Sequence, residues 1–244
     1  MRNQPMRKLL PDVERKRIVE LAQQELKTDE GKEAYKYLTE IRKVSDKTIE
    51  EFRIGYVPQS VTNTYDDKHE FSGRIIFPIY NQYDELVALS SRDWRKDAGM
   101  KFFHEMYRKR NYLFGLNVAK KNILQNKKSI IVEGEFDVLA LHSAGINCTV
   151  GMLGSSFHLE QISLLSRYCQ EIYMSFDGDN AGRESLKKAM ILCSQRNLRE
   201  MFDLSLIPVD LPEKIDPDEF VNSQGSKKFI DLLIKSRNDF LRIK

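Results

Sequence analysis

The chain has 244 residues, enough for one large domain or two small ones with a sizeable hydrophobic core. Hydrophobic residues make up 41% of it and charged residues 31%, a composition typical of a soluble globular protein. No apolar run approaches the ~18 residues of a membrane span, and the N-terminus lacks an apolar signal-peptide core. The sequence therefore predicts a cytoplasmic protein and excludes a membrane-spanning one.

The three cysteines, Cys148, Cys169 and Cys193, are odd in number and far apart in the sequence. This pattern favours reduced thiols in a core over a disulfide framework. The chain contains no CxxC pair, and no cysteine and histidine cluster precedes residue 69. We therefore expect no zinc in this chain.

The net charge of +3 conceals two segments of opposite charge. Between Arg92 and Lys121 there are nine Lys or Arg against three Asp or Glu, whereas between Glu133 and Asp179 seven acids face one base. A basic segment followed by an acidic one suits a polyanion held beside divalent cations. Two solvated faces that happen to differ in charge would explain the pattern equally well.

The first part of the chain mixes helices and strands. Apolar residues at helical spacing predict two helices over residues 12–42, and Ser45 or Asp46 is expected to cap a short third helix. Two strands follow, "RIIFPIY" and "LVALSSRDW", joined as a hairpin across "NQYDE". Residues 1–125 are therefore predicted to form an α+β subdomain that carries most of the basic segment.

From Ser129 onward, strands alternate with helices. The predicted strands are "SIIVE", "NCTVGML", "EIYMSF" and "MFDLSLIP". Alternation of this kind implies βαβ units around a parallel sheet that is covered on both faces. We place the second domain at residues 126–222, after a polar joint at Asn126, and a C-terminal helical segment at residues 223–244.

Acidic residues follow three strands of this predicted sheet. They are Glu133, Glu135, Asp137, Asp177, Asp179, Asp216 and Asp218. In open parallel sheets, ligands gather beyond the carboxyl ends of the strands. Crowded like charges raise one another's pKa unless a cation compensates them. Magnesium suits such a site, since it takes one or two carboxylates, keeps several waters and completes its shell with phosphate.

Turn and cap chemistry is the competing explanation for these acids. A lone Asp-Gly-Asp after a strand is a common turn, and Asp137 or Asp218 could cap a helix. Three groups at three strand ends are harder to explain in this way. A receiver or phosphatase also gathers aspartates, but with a nucleophilic Asp near a Lys or Thr, an order that this chain lacks. We further expect Gly134 and Gly178 to allow tight turns and close approach of a phosphate.

Motifs in both halves resemble one family. "IIVEGEFDVLAL", "SFDGDNAG" and "DPDEF", in that order, resemble the TOPRIM domain shared by bacterial-type (DnaG-type) primases, topoisomerases and some nucleases. Upstream, "YLTEIRKVSDKTIEEFRIGYVP", "FSGRIIFPIYNQYDELVALSSR" and "KRNYLFGL" resemble the N-terminal part of the primase RNA polymerase domain. The resemblance covers roughly residues 35–222. It implies an α/β fold in which a TOPRIM domain, a mainly parallel sheet flanked by helices, follows a mixed α+β basic subdomain.

The resemblance also implies an activity and a metal site. Such primases join ribonucleoside triphosphates on a single-stranded DNA template, giving a short RNA primer for DNA replication with the help of Mg²⁺ or Mn²⁺, here two ions. Glu133, Asp177 and Asp179 match the core metal-site acids. Glu133 is also a candidate to help deprotonate the attacking 3′-hydroxyl, although a hydroxide on the metal would serve equally. Further acidic positions are matched by Asp137, Asp216 and Asp218, of which Asp216 is the better metal candidate of the last pair.

Basic residues of the first half match positions that face template and nucleotide in the family. They are Arg74, Arg92, Lys101 and Lys109. Arginine grips phosphate with paired hydrogen bonds, whereas lysine acts as a point charge. Neighbouring aromatic residues could stack on unpaired bases. For Phe102 and Phe103 we expect packing in the core and at its edge instead.

The sequence departs from the family pattern in the same region. Ser90-Ser91 stands where Gly-Gly usually precedes the arginine matched by Arg92, and "MKFFHE" replaces Pro-Lys-Tyr-Leu-Asn-Ser. Neither the N-terminal zinc-binding module nor the C-terminal helicase-binding domain of these primases is recognised. We therefore expect an excised catalytic domain or a compact, phage-like primase, with a zinc module or replicative helicase on another chain.

Two other functions remain open from the sequence. A TOPRIM nuclease or topoisomerase-like DNA-cleaving protein would share the acids, but normally brings a catalytic tyrosine on a separate domain or an ATPase module. A non-catalytic subunit of the replisome that binds single-stranded DNA would share the basic segment. Such a scaffold would gain nothing from uncompensated like charges.

Overall fold

A computed structural model of the chain describes residues 10–60, 71–95, 100–154, 156–195 and 201–242, without the side chains of residues 193–195. It divides into two compact units, Met1–Arg108 and Lys109–Lys244. Each unit has its own sheet. The sequence predicted two domains with a boundary between residues 125 and 126. The two units of the structure divide earlier in the chain, between Arg108 and Lys109.

The helices of the first unit follow the predicted pattern. They are α1 (Asp12–Glu25), α2 (Lys32–Lys36), a π-helical turn that continues α2 (Tyr37–Ile41), and α3 (Asp46–Glu51). Ser45 caps α3, because its hydroxyl accepts a hydrogen bond from the amide of Thr48 at 3.2 Å. The predicted cap at Ser45 is confirmed.

The first unit contains a four-stranded antiparallel sheet in the order β1-β2-β3-β4. Its strands are β1 (Gly55–Val57), β2 (Arg74–Tyr80), β3 (Leu86–Arg92) and β4 (Phe102–His104). The hairpin of β2 and β3 was predicted. β1 and β4 were not, because three residues are too few for an alternating pattern. One core cluster joins Ile18 and Ala22 of α1 to Ile76 and Leu89 of the sheet.

The second unit contains a four-stranded parallel sheet in the order β6-β5-β7-β8. Its strands are β5 (Lys128–Val132), β6 (Thr149–Gly151), β7 (Glu171–Met174) and β8 (Ser205–Pro208). Its helices are α4 (Leu116–Asn126), α5 (Glu135–Ser143), α6 (Leu159–Leu165), α7 (Asn180–Gln195), α8 (Pro217–Gln224) and α9 (Ser226–Arg242). The predicted α/β class and parallel sheet are confirmed, and α9 lies in the predicted C-terminal helical segment.

Helix α4 explains why the second unit begins before residue 126. Its apolar face, Leu116, Ala119 and Ile123, is buried in one cluster with residues of the parallel sheet such as Ile131 and Val150. The spacing of these three residues in "LNVAKKNILQN" is helical, although the prediction had assigned the segment to the first domain. Packing of this face assigns α4 to the parallel-sheet unit.

Two of the three thiols can be placed. Cys169 is buried and Cys148 is partly buried, and both are free. Burial raises the pKa of Cys148 to about 11, so the thiol stays protonated at neutral pH. The expectation of reduced core thiols is confirmed for these two, while the side chain of Cys193 lies outside the described residues. No helix in the described ranges is long and apolar enough to cross a membrane.

Candidate metal-binding site and nucleic-acid contacts

The two central strands of the parallel sheet bring the first two acidic groups together. Ile131 of β5 lies beside Met174 of β7, so the residues that follow these strands emerge at the same edge. The amide of Asp177 donates a hydrogen bond to Oε1 of Glu133 at 3.2 Å. The chain thus places Glu133 next to Asp177, two acids that the sequence had put at the ends of strands in one parallel sheet.

Asp179 ends the loop after β7 and caps helix α7. Its Oδ1 accepts a hydrogen bond from the amide of Gly182 at 2.8 Å. A Cβ atom on Gly182 would lie 2.2 Å from the carbonyl oxygen of Asp177, so α7 can begin this close to the loop only with glycine there. Sequence reasoning had not assigned a role to Gly182.

The third acidic group is tied to the Asp-Gly-Asp loop through backbone. The amide of Gly178 donates to the carbonyl oxygen of Ile215 at 3.1 Å, and the amide of Lys214 donates to the carbonyl oxygen of Gly178 at 3.0 Å. A Cβ atom on Gly178 would lie 2.1 Å from the carbonyl oxygen of Pro212. Glycine is therefore needed here for contact between two loops of the protein. The expected approach of a phosphate to Gly178 stays a prediction.

Asp137 and Asp218 are buried and link two helix N-termini. Oδ2 of Asp137 accepts from the amide of Gly134 at 3.0 Å, and Oδ1 accepts from the amide of Asp218 at 3.2 Å. The first bond caps α5, and the second joins α5 to α8. The cap interpretation thus accounts for Asp137, and its role as a metal ligand stays a prediction.

Burial and mutual repulsion raise the pKa of three of these acids. Burial raises the pKa of Asp177 to about 7, with further increases from the charges of Glu133, Asp216, Asp179 and Asp218. The pKa of Glu133 is raised by burial and by Asp179 and Asp216, and burial raises that of Asp137 well above its usual value. A bound cation would stabilise the ionised form of these acids and offset the repulsion between them.

The donor atoms at this edge fit a divalent cation that prefers oxygen. Oδ1 of Asp177 is buried and accepts no hydrogen bond from any residue in the described ranges. Such an acceptor is costly to bury without a partner. In the part of the chain that the structure describes, no three His, Cys, Asp or Glu side chains are arranged to hold an ion by themselves. Mg²⁺ commonly binds through one or two carboxylates, with waters and phosphate completing its shell.

Arg74, one of the four predicted phosphate contacts, is buried inside the antiparallel sheet. Its Nε donates to Oγ of Ser91 at 2.9 Å, and its Nη2 donates to the carbonyl oxygens of Met100 and Lys101 at 3.0 and 2.9 Å. These bonds hold the start of β2 to β3 and to the segment before β4. A template contact of Arg74 stays a prediction, and the structure supports a positioning role.

Arg92 and Lys101 lie at the same end of the first sheet. Arg92 pairs with Phe102 in the ladder of β3 and β4, and its guanidinium carbon lies 4.6 Å from the centre of the Phe102 ring. Lys101 is exposed immediately before β4. Phe103 is buried in the core, and Phe102 lies on the edge strand β4, partly exposed and packed against Arg92, in keeping with the expected core and edge packing.

Lys109 belongs to the second unit, with the acids. Its half-buried ammonium has a pKa lowered by burial, and the charge of Glu135 acts in the opposite direction. Glu135 opens α5, whose first turn also holds Asp137. The structure therefore brings Lys109, but none of the other predicted basic contacts, into the unit that carries the acidic edge.

Two residues that position loops of the second unit were not predicted. Lys214 takes a left-handed backbone conformation (φ 62°) while its amide bonds to Gly178. Gln161 is buried, and its side-chain amide donates to the carbonyl oxygens of Met152 and Tyr112 at 2.8 and 3.0 Å. Neither has a signal in the sequence, because both act through backbone groups that only the fold brings near.

Comparison with known families matches both units. Residues 130–221 match the Toprim-like family. Residues 21–70 and 63–120 match the N-terminal domain of the DNA primase catalytic core. Together, the two matches follow the order of the motifs in the sequence.

A DNA primase of Enterococcus faecalis is 30% identical in an alignment that covers 88% of this chain and 38% of that protein. The chain thus spans well under half of this relative. A solved DnaG primase catalytic domain bound to ssDNA is 26% identical with a TM-score of 0.82, over 92% of this chain and 78% of that one. The zinc-binding and RNA polymerase domains of the Aquifex aeolicus primase are 27% identical with a TM-score of 0.77, over 93% of this chain and 62% of that one. The chain belongs to the DnaG-type primases and matches the N-terminal domain of their catalytic core, followed by a Toprim-like domain.

Proposed function

We propose that the chain is a DNA-directed RNA polymerase that synthesises short RNA primers on single-stranded DNA during DNA replication. The observation that carries the proposal is the shared carboxyl edge of the parallel sheet. There, Glu133, Asp177 and the loop before Asp216 are joined by hydrogen bonds. The match of residues 21–120 to the N-terminal domain of the primase core supports the same activity.

Glu133, Asp177 and Asp179 would hold Mg²⁺ or Mn²⁺, with Asp216, Asp137 and Asp218 as further acids. Two such ions, when bound, would stabilise charge on the attacking and leaving oxygens of the nucleotidyl transfer. The chain's own residues set up the site. The amide of Asp177 orients the Glu133 carboxylate, and burial raises the pKa of that carboxyl group. A carboxylate with a raised pKa suits proton acceptance from a 3′-hydroxyl.

Lys109 would supply positive charge to the triphosphate. Its position near Glu135 brings an ammonium close to the first turn of α5, in the unit that carries the acids. Lysine interacts with phosphate as a point charge. We therefore propose that Lys109 binds the phosphates of the ribonucleoside triphosphate or the departing pyrophosphate.

Arg92 and Lys101 would bind the phosphates of the template. Both lie at one end of the antiparallel sheet, and Lys101 is exposed. Arg74 would position Lys101, since its hydrogen bonds to the carbonyl oxygens of Met100 and Lys101 fix the segment that carries Lys101. The similar DnaG catalytic domain that was solved bound to ssDNA supports a single-stranded template.

A zinc module and a replicative helicase are proposed as partners that direct the core to its start sites. The similar Aquifex aeolicus structure contains a zinc-binding domain beside its RNA polymerase domain. An enzyme of DNA replication would act in the cytoplasm, where the chromosome or a phage genome is copied.

The two competing functions are less well supported. The match to the primase core before residue 120 favours polymerisation over DNA cleavage. A non-catalytic DNA-binding subunit would have no use for acids whose pKa values are raised by burial and by one another's charges. We do not propose either.

One assay separates the three functions. The chain is incubated with single-stranded templates, labelled ribonucleotides and Mg²⁺ or Mn²⁺, and the products are read on a denaturing gel. We expect oligoribonucleotides in the wild type and none with Asp177→Asn. Nicked template without synthesis would indicate a nuclease, and binding without either product would indicate a scaffold.

The same assay compares initiation with extension. Holding two nucleotides and a template at once is harder than adding one nucleotide to a primer already paired. We expect slow initiation, easier extension of a short annealed RNA, and little discrimination among templates, because phosphate contacts carry little sequence information. Strong, sequence-restricted initiation would show that the chain reads the template by itself.

A further inference from the structure

Edge strand β4 presents two ring side chains on one face. Because side chains alternate along a strand, Phe102 and His104 share a face and Phe103 points to the other. Phe103 is 6% exposed, and its ring packs edge-on against Phe71 with the centres 5.2 Å apart. The buried ring of Phe103 therefore anchors the strand and turns Phe102 and His104 away from that contact.

Three flat groups form a row at this edge. The rings of Phe102 and His104 are parallel, with an angle of 3° between their planes and 6.2 Å between their centres. The guanidinium carbon of Arg92 lies 4.6 Å from the centre of the Phe102 ring, and Phe102 is 37% exposed. We call Arg92, Phe102 and His104 the stacking row.

We propose that the stacking row binds unpaired bases of single-stranded DNA. Bases stack on aromatic side chains and on arginine planes, and stacking tolerates any sequence because every base has a π-face. An exposed phenylalanine on an edge strand gains by being covered in this way. The inference rests on the proposed function, to which it adds contacts with the bases of the template beside the phosphate contacts of Arg92 and Lys101.

The charges around the row fit a nucleic acid strand. Arg92 supplies one cation within the row, and exposed Lys101 directly precedes Phe102 in the sequence. Proteins that bind single strands without sequence preference combine aromatic rings, which stack on the bases, with cations, which bind the phosphates. A site for free triphosphate would need several cations, whereas this row offers two rings and one guanidinium.

The test separates bases from phosphates. Fluorescence anisotropy would measure the affinity of the full chain for a labelled oligothymidylate and for an abasic oligonucleotide of the same length and charge. We expect the wild type to bind the base-bearing strand about tenfold more tightly, in keeping with the contribution of one stacked base. Phe102→Leu, which keeps apolar volume but removes the ring, should abolish most of this preference. Its affinity for the abasic strand should not change.

Tyr83→Leu is the matched control. Tyr83 is 69% exposed in the turn at the far end of the β2–β3 hairpin. This variant should keep the preference for bases, and His104→Asn should reduce it. Thermal unfolding checks that each variant is folded, so a poorly folded Phe102→Leu leaves His104→Asn to decide.

The outcomes distinguish this inference from the proposed function. Equal affinity of the wild type for both strands, or an unchanged preference in Phe102→Leu and His104→Asn, would overturn the stacking row even if primers are made. Absence of primer synthesis in the wild type would count against the proposed function, even if the preference for bases is present.

Discussion

The amide of Gly178 donates a hydrogen bond to the carbonyl oxygen of Ile215, 3.1 Å away, and the carbonyl oxygen of Gly178 accepts one from Lys214. This reciprocal pair joins the loop of Asp177 and Asp179 to the loop that ends at Asp216. It connects two acidic groups through backbone, which side-chain rotation cannot disturb. Any change that separates the two loops should therefore affect the whole acidic edge.

Gly178→Ala should disrupt this contact. The added Cβ would lie 2.1 Å from the carbonyl oxygen of Pro212, so one of the two loops must move. We expect a loss of about 1–3 kcal/mol in the free energy of unfolding, the usual cost of overpacking, together with weaker Mn²⁺ binding. Urea denaturation and a Mn²⁺ titration would measure the two effects.

Gly154→Ala is the control for that substitution, because its Cβ would meet nothing within 4 Å. It should leave both quantities near the wild-type values. Wild-type stability and Mn²⁺ affinity in Gly178→Ala would show that the two loops do not depend on their close contact.

Asp177→Asn should abolish primer synthesis and leave the metal-free fold at least as stable. The substitution removes a charge that burial and four neighbouring acids disfavour. It also removes a ligand from the proposed metal site, so the stabilisation of the wild type by added Mn²⁺ in a thermal melt should disappear. Asp231→Asn, at an exposed acid of α9, should behave like the wild type. Normal synthesis by Asp177→Asn would eliminate the proposed site.

Lys101→Gln should weaken binding to single-stranded DNA and flatten its dependence on salt. Each phosphate that a protein neutralises on a single strand contributes about 0.7 to the slope of log K against log salt concentration. We expect the slope to fall by about that amount, with Mn²⁺ binding unchanged. Lys47→Gln, on the exposed side of α3, provides the control. An unchanged slope in Lys101→Gln would remove Lys101 from the template contacts.

Arg74→Lys should lower stability more than DNA affinity. A lysine cannot reproduce the bonds of the guanidinium to Ser91 and to the carbonyl oxygens of Met100 and Lys101, so buried acceptors lose their donors. We expect a loss of about 1–3 kcal/mol in the free energy of unfolding. The salt slope of DNA binding should persist. A smaller slope in a fully stable Arg74→Gln would instead favour direct contact with the template.

His142 should make stability depend on pH. Burial lowers its pKa to about 4, and its Nε2–H donates to the carbonyl oxygen of Thr149 at 3.0 Å. The unfolded chain, with a histidine pKa of about 6.5, binds more protons between these values, so stability falls as pH drops from about 6.5 to about 4. The contribution is roughly 3 kcal/mol across this window.

His142→Gln would test this origin, since an amide can still donate to Thr149 but does not titrate. Denaturation at several pH values should show a smaller loss of stability below pH 6.5 in the variant. Parallel curves for the wild type and His142→Gln would assign the pH dependence to other groups.

The sequence determined the classes of the elements and the position of the acids along the chain. Apolar runs such as "SIIVE" and "EIYMSF" can be recognised as buried strands because a parallel sheet is covered on both faces. Since the carboxyl ends of parallel strands lie at one edge, the strand pattern put Glu133 and Asp177 at the same edge, and the pairing of β5 with β7 makes them neighbours. The helix cap at Ser45 could also be predicted from the local sequence, because serine precedes the helical pattern of α3.

Tertiary structure alone decided how each polar group is used. Arg74, Arg92 and Lys101 looked equivalent in the sequence, yet backbone carbonyl oxygens from a distant segment take up the guanidinium of Arg74. Phe102 and Phe103 are neighbours of the same type, and only the pairing of β4 with β3 determines which ring is buried. The need for glycine at position 178 comes from Pro212, a contact that no local pattern encodes. Such roles depend on partners far along the chain, which come within reach only when the chain has folded.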